Sequence, residues 1–469
     1  MSSETDKTTE EITISNIFEK RSFNIFILIT TIILAYIHIV LKDKYLIGAW
    51  HIIFWTVALA PLVYIIKTKE IKNQYTKWLI PSVAILIVDI FYYNNEFTQT
   101  ILPFVVIAFI SILYMTSMHS VSSFYQTLLP KMVIPLHFLS HLNIFFSIFL
   151  SGEKDIKVYK RFIKALLITI PFMGLFLGLF MSADRNFDRF ITQLLRDSTI
   201  FELNYIFWLP LTILSLLLFF IYTLSNSTTR VIPKQTKTFD TLVVGTFLSM
   251  TNILFGLFVI FQIGYLFGGV DYIKSSNINI AYFARSGFFQ LMWVMGIVLS
   301  IYLFIMSRFR GEKSIAYLLS TLVGFTMIIG FASLKKMYLY QSIKGATVLR
   351  YYVEWFDYFL LIVLGLGIIF IIKQKPFARL LDMLTIIGII AFTLISSLNI
   401  DGMVASHNIA KFKESRLDKD ALSRLSVDIL PYIKDKNITI TRYNRRDCDT
   451  IRGYHFGYCY RLGVYGYYK

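Results

Sequence analysis

Charge is scarce in this sequence. Only 16% of its 469 residues are charged, while 56% are hydrophobic and 17% aromatic, and the mean hydropathy is +0.62. A water-soluble chain carries about 25% charged residues, so a globule solvated on all sides is excluded. Cysteine is nearly absent, with two in the whole chain, which rules out a disulfide-stapled scaffold and any thiolate metal cage. Several catalytic signatures are missing as well. No GxxxxGK[ST] loop, no HExxH, no CxxC pair and no GxSxG followed by an acid and a histidine occurs. The polar start, MSSETDKTTEEITISNIFEKRS, lacks the basic residues, short apolar core and small-residue cleavage site of a signal peptide. Targeting is therefore expected to rest with the first transmembrane helix.

Apolar runs of about 18 residues or more recur along the chain, each long enough to cross roughly 30 Å of hydrocarbon. The fold class this implies is an all-α polytopic membrane protein with about eleven transmembrane helices. The spans are expected near 23–41, 46–66, 78–93, 101–118, 162–182, 206–224, 242–268, 287–307, 314–334, 351–372 and 383–400. The chain divides into a polar N-terminal segment (1–22), a helical membrane domain (23–400) and a soluble C-terminal tail (401–469). Two interfacial segments are expected within the membrane domain, near 119–150 and 183–200. The first, around MVIPLHFLSHLNIFFSIFL, is broken by Pro135 and is either re-entrant or a further span. In the second, Phe187, Phe190, Ile191, Leu194 and Leu195 form an apolar face opposite Arg185, Asp188, Arg189 and Arg196.

The net charge of +17 does not point to nucleic acid, because the basic residues are spread over loops and no reader motif accompanies them. Their placement reports orientation instead. With the N-terminus in the cytoplasm, the inner loops hold roughly twice as many Lys and Arg as the outer ones. An odd number of spans then puts the tail on the outer side of the membrane. Both cysteines, Cys448 and Cys459, lie in that tail. A disulfide between them would close a loop worth roughly 3 kcal/mol in the chain-entropy model; the alternative is two free thiols in a reducing compartment. The first half of the tail, with Leu417, Ala421, Leu422, Leu425 and Ile429, reads as one or two amphipathic helices. The Gly/Tyr-rich end, YHFGYCYRLGVYGYYK, reads as short strands and turns.

Ionisable residues inside spans are the leading functional candidates, because a charge facing lipid costs at least a few kcal/mol. Asp89, within ILIVDIFYY, is a candidate intramembrane proton site or a carboxyl hydrogen-bonded between helices. In LRYYVEWFDYFLL, Arg350, Glu354 and Asp357 recur at i, i+4 and i+7 on one helical stripe. At 1.5 Å per residue Asp357 lies about 10 Å in, where the helix dipole favours a carboxylate, and Arg350 is in reach of Glu354. On the expected topology these three share the outer side with Arg285 and Asp184, giving an outer-face polar cluster. His137 and His141 are spaced i, i+4, but HFLSH lacks the glutamate a zincin places between them, so no metal and no cofactor is expected.

Several of these stretches resemble a widespread bacterial family of polytopic membrane proteins known only as a domain of unknown function. SADRNFDRF is similar to its Ala-Asp-Pro-x-Phe signature, with Arg185 where the family often has proline. AYFARSGFFQL is similar to Tyr-Ala-Arg-x-Gly-Phe-Phe. MYLYQSIKGATVLRYYVEW follows a Tyr…Tyr-Gly-Leu-Thr-x-x-Arg-x-Tyr pattern through Gly345, Thr347 and Arg350, with Lys344-Gly345-Ala346 replacing Tyr-Gly-Leu. SHNIAKF and LDKDALSRLSVDILPYI resemble its closing segment. The resemblance covers roughly 160–435 and implies an architecture without an activity. Three functions remain in view. The first is a non-enzymatic accessory, sensory or scaffold protein with the lipid bilayer and a membrane or extracytoplasmic protein as partners. The second is a proton- or cation-coupled transporter using Asp89, Glu354 or Asp357. The third is an enzyme on a lipid-linked substrate, with Asp184 and Glu354 as its acids.

Overall fold

The computed structural model describes residues 50–59, 75–116, 158–195, 240–267, 288–309, 311–434, 436, 438, 440, 448 and 455–464. The polar start, the spans expected near 23–41 and 206–224, the segment 119–150 with His137 and His141, and Arg285 lie outside the described residues. Among those described, every regular element is helical. In chain order they are α1 (Trp50–Ala58), α2 (Tyr75–Tyr92), a π-turn (Phe97–Ile101), α3 (Leu102–Thr116), α4 (Val158–Ala183), α5 (Arg185–Leu195), α6 (Thr241–Phe267), α7 (Phe288–Met306), α8 (Lys313–Lys344), α9 (Val348–Ile372), α10 (Phe377–Ser396), α11 (Ile400–Lys411), α12 (Lys419–Ser423), α13 (Leu430–Ile433) and α14 (Phe456–Val464). Six of them, α4, α6, α7, α8, α9 and α10, are long and apolar enough to cross a membrane, and α2 and α3 carry shorter apolar stretches. The chain is a helical membrane protein in which these helices stand where the apolar runs predict.

One boundary moves far. The span expected at 314–334 continues to Lys344. LKKMYLYQSIK contains no glycine or proline, and lysine is a good helix former, so the two charges at 335 and 336 do not end the helix. It ends at Gly345, whose φ of +80° suits a residue without a side chain. Lys336, which charge counting assigns to an outer loop, therefore sits buried within α8.

The chain folds as two compact units, one formed by residues 121–385 and one by 1–120 with 386–469. In the first, α4 and α6 meet through stacked and edge-on phenylalanines. The rings of Phe180 and Phe258 stack at 4.0 Å, and Phe176 meets Phe255 edge-on at 4.9 Å. α7, α8 and α9 converge on Gly330, where a Cβ would sit 2.7 Å from Met295 Sδ and 2.8 Å from Leu361 Cδ2. Small residues permit such approaches where lipid supplies no hydrophobic drive between helices. Gly330→Leu is expected to split this contact and cost about 3 kcal/mol or more by overpacking. A drop in thermal midpoint of the detergent-solubilised protein reads the loss, and an unchanged midpoint would show the three helices are not pinned there. At the far end of α4, Arg161 binds Asp240, which caps α6 by accepting from the Leu242 N–H at 3.0 Å.

In the second unit, Leu79, Val83, Leu86 and Ile90 of α2 pack with Leu102, Val106, Ile110 and Leu113 of α3 and with Ile389 of α10. Around α11 to α14, Ala405, Leu422, Val427, Ile429, Leu430, Ile433, Tyr458 and Leu462 build a separate small core, and a disulfide joins Cys448 to Cys459. Two tail expectations are corrected. The stretch 414–433 folds as short helical turns, capped by Asp418 and Ser426, rather than as one or two amphipathic helices. Within the Gly/Tyr-rich end, Phe456–Val464 forms α14 where short strands and turns were expected. Richness in glycine and tyrosine suggests the latter, but Tyr458, Cys459 and Leu462 share one helical face and cover the small core. His455 caps that helix through Nδ1, which accepts the Tyr458 N–H at 3.2 Å.

Candidate functional site

One group of polar residues of the 121–385 unit gathers where α4, α6 and α8 end and α9 begins. Asp184 forms the corner between α4 and α5. Its Oδ1 accepts the N–H groups of Asn186 (2.9 Å) and Phe187 (3.1 Å), capping α5. Its Oδ2 accepts Gln262 Nε2 of α6 at 3.2 Å and faces Lys336 Nζ of α8 at 3.8 Å. Lys336 also reaches the Ala183 carbonyl, which belongs to the same corner. α5 seats this corner by burying Phe187 and Ile191, while Phe190 and Leu194 of its expected apolar face stay exposed.

α8 supplies the counterparts for the α9 stripe. Ser333 Oγ donates to Asp357 Oδ2 at 2.9 Å, and Gln341 Nε2 donates to Glu354 Oε2 at 3.0 Å. Arg350 donates to the Gly345 carbonyl and lies over the Tyr340 ring at 4.2 Å. The three charges of the stripe thus turn to three different partners on α8 and its turn. Asp357 is fully buried, and its Oδ1 has no bonding partner among the described residues. Ser333, Lys336 and Gln341 recur at helical spacing, and sequence reasoning missed all three together with Gln262. Their one visible signal was the second lysine of LKK in an otherwise apolar helix.

In the other unit, Asp89 accepts Ser397 Oγ at 2.7 Å, and the Tyr93 hydroxyl donates to the Ser397 carbonyl at 2.8 Å. The candidate proton site therefore joins α2 to the end of α10. A second polar junction seats α14 against the end of α2. Arg461 Nη1 donates to Asp428 Oδ1 (2.5 Å) and to the Tyr92 carbonyl (3.0 Å). The Asn94 N–H donates to Asp428 Oδ2 at 2.9 Å. Because His455 Nδ1 is an acceptor, its Nε2 carries the proton and donates to the Ile90 carbonyl at 2.9 Å. Gln99 of the π-turn donates to the carbonyls of Ile90 and Tyr93. Three carbonyls at the end of α2, which a helix leaves open, are thus closed from elsewhere in the unit.

Burial pushes the Asp428 carboxyl up from 3.8 to about 6, with Arg461 holding it back and Asp401 adding to the rise. A folded-state value above the unfolded one means that this group contributes most below about pH 4, and that its contribution is lost as pH rises through about 6. Arg461 of α14, Asp401 of α11, the neutral His455, Tyr92 and Tyr93 are titratable groups gathered at this junction. Protection of the α14 amides against exchange should fall between pH 4 and 6 in the wild type. Asp428→Asn should flatten that slope, and an unchanged slope would assign it to another group.

The family model described as Domain of unknown function (DUF4153) matches residues 26–435. The chain belongs to this family. No curated protein and no solved structure matches it. The DUF4153 match takes in α1 to α13, so Asp89, Asp184, Lys336 and the α9 stripe all fall within the family domain. Cys448, Cys459, His455 and Arg461 fall beyond it. The side chains that α14 brings to the end of α2 therefore lie outside the DUF4153 match, while their counterpart Asp428 lies within it.

Proposed function

We propose that this DUF4153 chain is a non-enzymatic accessory or scaffold protein of the bacterial cytoplasmic membrane, with its N-terminus in the cytoplasm and its tail outside. The observation that carries the reading is Asp184. Each of its oxygens already faces two donors, and its side chain has 0% exposure. A carboxylate so occupied joins helix ends and has no free position for acid or base work on a substrate. The loop bias of basic residues supports the orientation, and the partner expected is a membrane or extracytoplasmic protein. Reconstituted in liposomes holding a pH-sensitive dye, the protein should conduct no more protons or cations than empty vesicles.

A second reading, a proton- or cation-coupled transporter, draws support from Asp357, a buried carboxyl with one oxygen unbonded among the described residues. Flux that is abolished by Asp357→Asn in protein that still folds would establish the transporter and end the scaffold reading.

A further inference from the structure

The end of α2 and the disulfide-bearing helix α14 meet more closely than two helices with ordinary side chains can. Gly457 approaches the Tyr92 carbonyl so nearly that a Cβ there would lie 1.6 Å from the oxygen. On either side of this contact, His455 and Arg461 donate to the carbonyls of Ile90 and Tyr92. The Phe456 ring stacks on Tyr92 at 6.0 Å and Phe91 at 6.1 Å, both of α2, and on Tyr460 at 5.3 Å. α14 thus acts as a separate piece that closes a helix end far away in sequence.

Two features make its seating conditional. α14 has nine residues, and helices shorter than about 12 residues are marginal without outside support. It also lies beyond the family match, which ends at 435, and besides the backbone its covalent tie among the described residues is the bond from Cys459 to Cys448. Cys459 sits on the buried face of α14 and Cys448 packs on the small core around Leu422 and Val427. The bond therefore holds the helix against that core in the register that brings Arg461 to Asp428.

We propose that the Cys448–Cys459 disulfide is a docking lock: oxidation seats α14 on the end of α2, and reduction releases it. In forming the lock two thiols lose two protons and two electrons to a disulfide oxidant, RSSR, which leaves as two RSH; a thiol or phosphine reductant reverses the step. Release would free Arg461 and uncover the Tyr92 carbonyl, while the Ile90 carbonyl would lose His455 and keep Gln99.

The test uses the full-length protein in detergent, followed by hydrogen exchange and by trypsin. Oxidised protein should protect the amides of 455–464 and resist cleavage after Arg461. A phosphine reductant should raise exchange there at least tenfold and open that site to trypsin, with α6 and α8 unchanged, and glutathione disulfide should restore both. The double variant Cys448→Ser, Cys459→Ser should match the reduced protein. Reduction of the wild type carries the test even where the variant does not accumulate. Unchanged protection after reduction overturns the lock. So does an equal rise in α6 and α8, which would make the disulfide a general staple.

Discussion

Asp184→Ala should leave little folded protein in the membrane. The substitution removes the cap of α5, worth about 1 kcal/mol, and leaves Lys336 buried without its carboxylate. Removing one partner of a buried pair costs about 3–5 kcal/mol, a large share of the 5–15 kcal/mol by which domains are stable. Lys336→Met should cost much less, because Asp184 keeps the N–H groups of Asn186 and Phe187 and the amide of Gln262. The double variant Asp184→Asn, Lys336→Met should recover most of the loss, since asparagine can still cap and no charge remains buried. Thermal midpoints of the wild type, Asp184→Asn, Lys336→Met and the double variant form a double-mutant cycle. If the two changes simply add, Asp184 and Lys336 do not act as a pair, and the closed joint behind the scaffold reading fails with them.

Asp184 was legible as a candidate because SADRNFDRF places an acid at a span end. Its partner was not, because loop counting treats every lysine near a span end as an anchor in water. Lys336 escapes that rule through helix continuity: nothing between Ala332 and Lys344 breaks the backbone, so α8 carries it inward. The stripe on α9 shows the same limit. Its spacing correctly puts Arg350, Glu354 and Asp357 on one face, yet spacing within a helix says nothing about what faces it. The counterparts Ser333, Gln341 and the Gly345 carbonyl all come from the preceding helix and turn. A distance of about 10 Å from the helix start also misjudged Asp357, because depth along an axis does not measure burial between axes. In the tail, richness in glycine and tyrosine suggested strands and turns, and only the helical face shared by Tyr458, Cys459 and Leu462 reveals what is buried.

The smallest substitution with a large expected effect is Gly457→Ala. One added methyl would meet the Tyr92 carbonyl oxygen at 1.6 Å and its carbon at 2.5 Å. Both are backbone atoms at the end of α2, so no side-chain rotation can relieve the contact. α14 must lift, and lifting breaks the Arg461–Asp428 pair and the donation from His455 to Ile90 together. With Asp428 buried and its cation withdrawn, the cost should reach about 3–5 kcal/mol, and the α14 amides should exchange as fast as those of a free peptide. Gly463 supplies the control. It lies in the same helix with nothing within 4 Å of its added Cβ, so alanine there should gain about 0.5–1 kcal/mol from helix propensity alone. One chemistry at two positions six residues apart is thus expected to act with opposite sign. If Gly457→Ala protects α14 as well as Gly463→Ala does, the helix does not sit on the end of α2, and the clamp fails as an account of the tail.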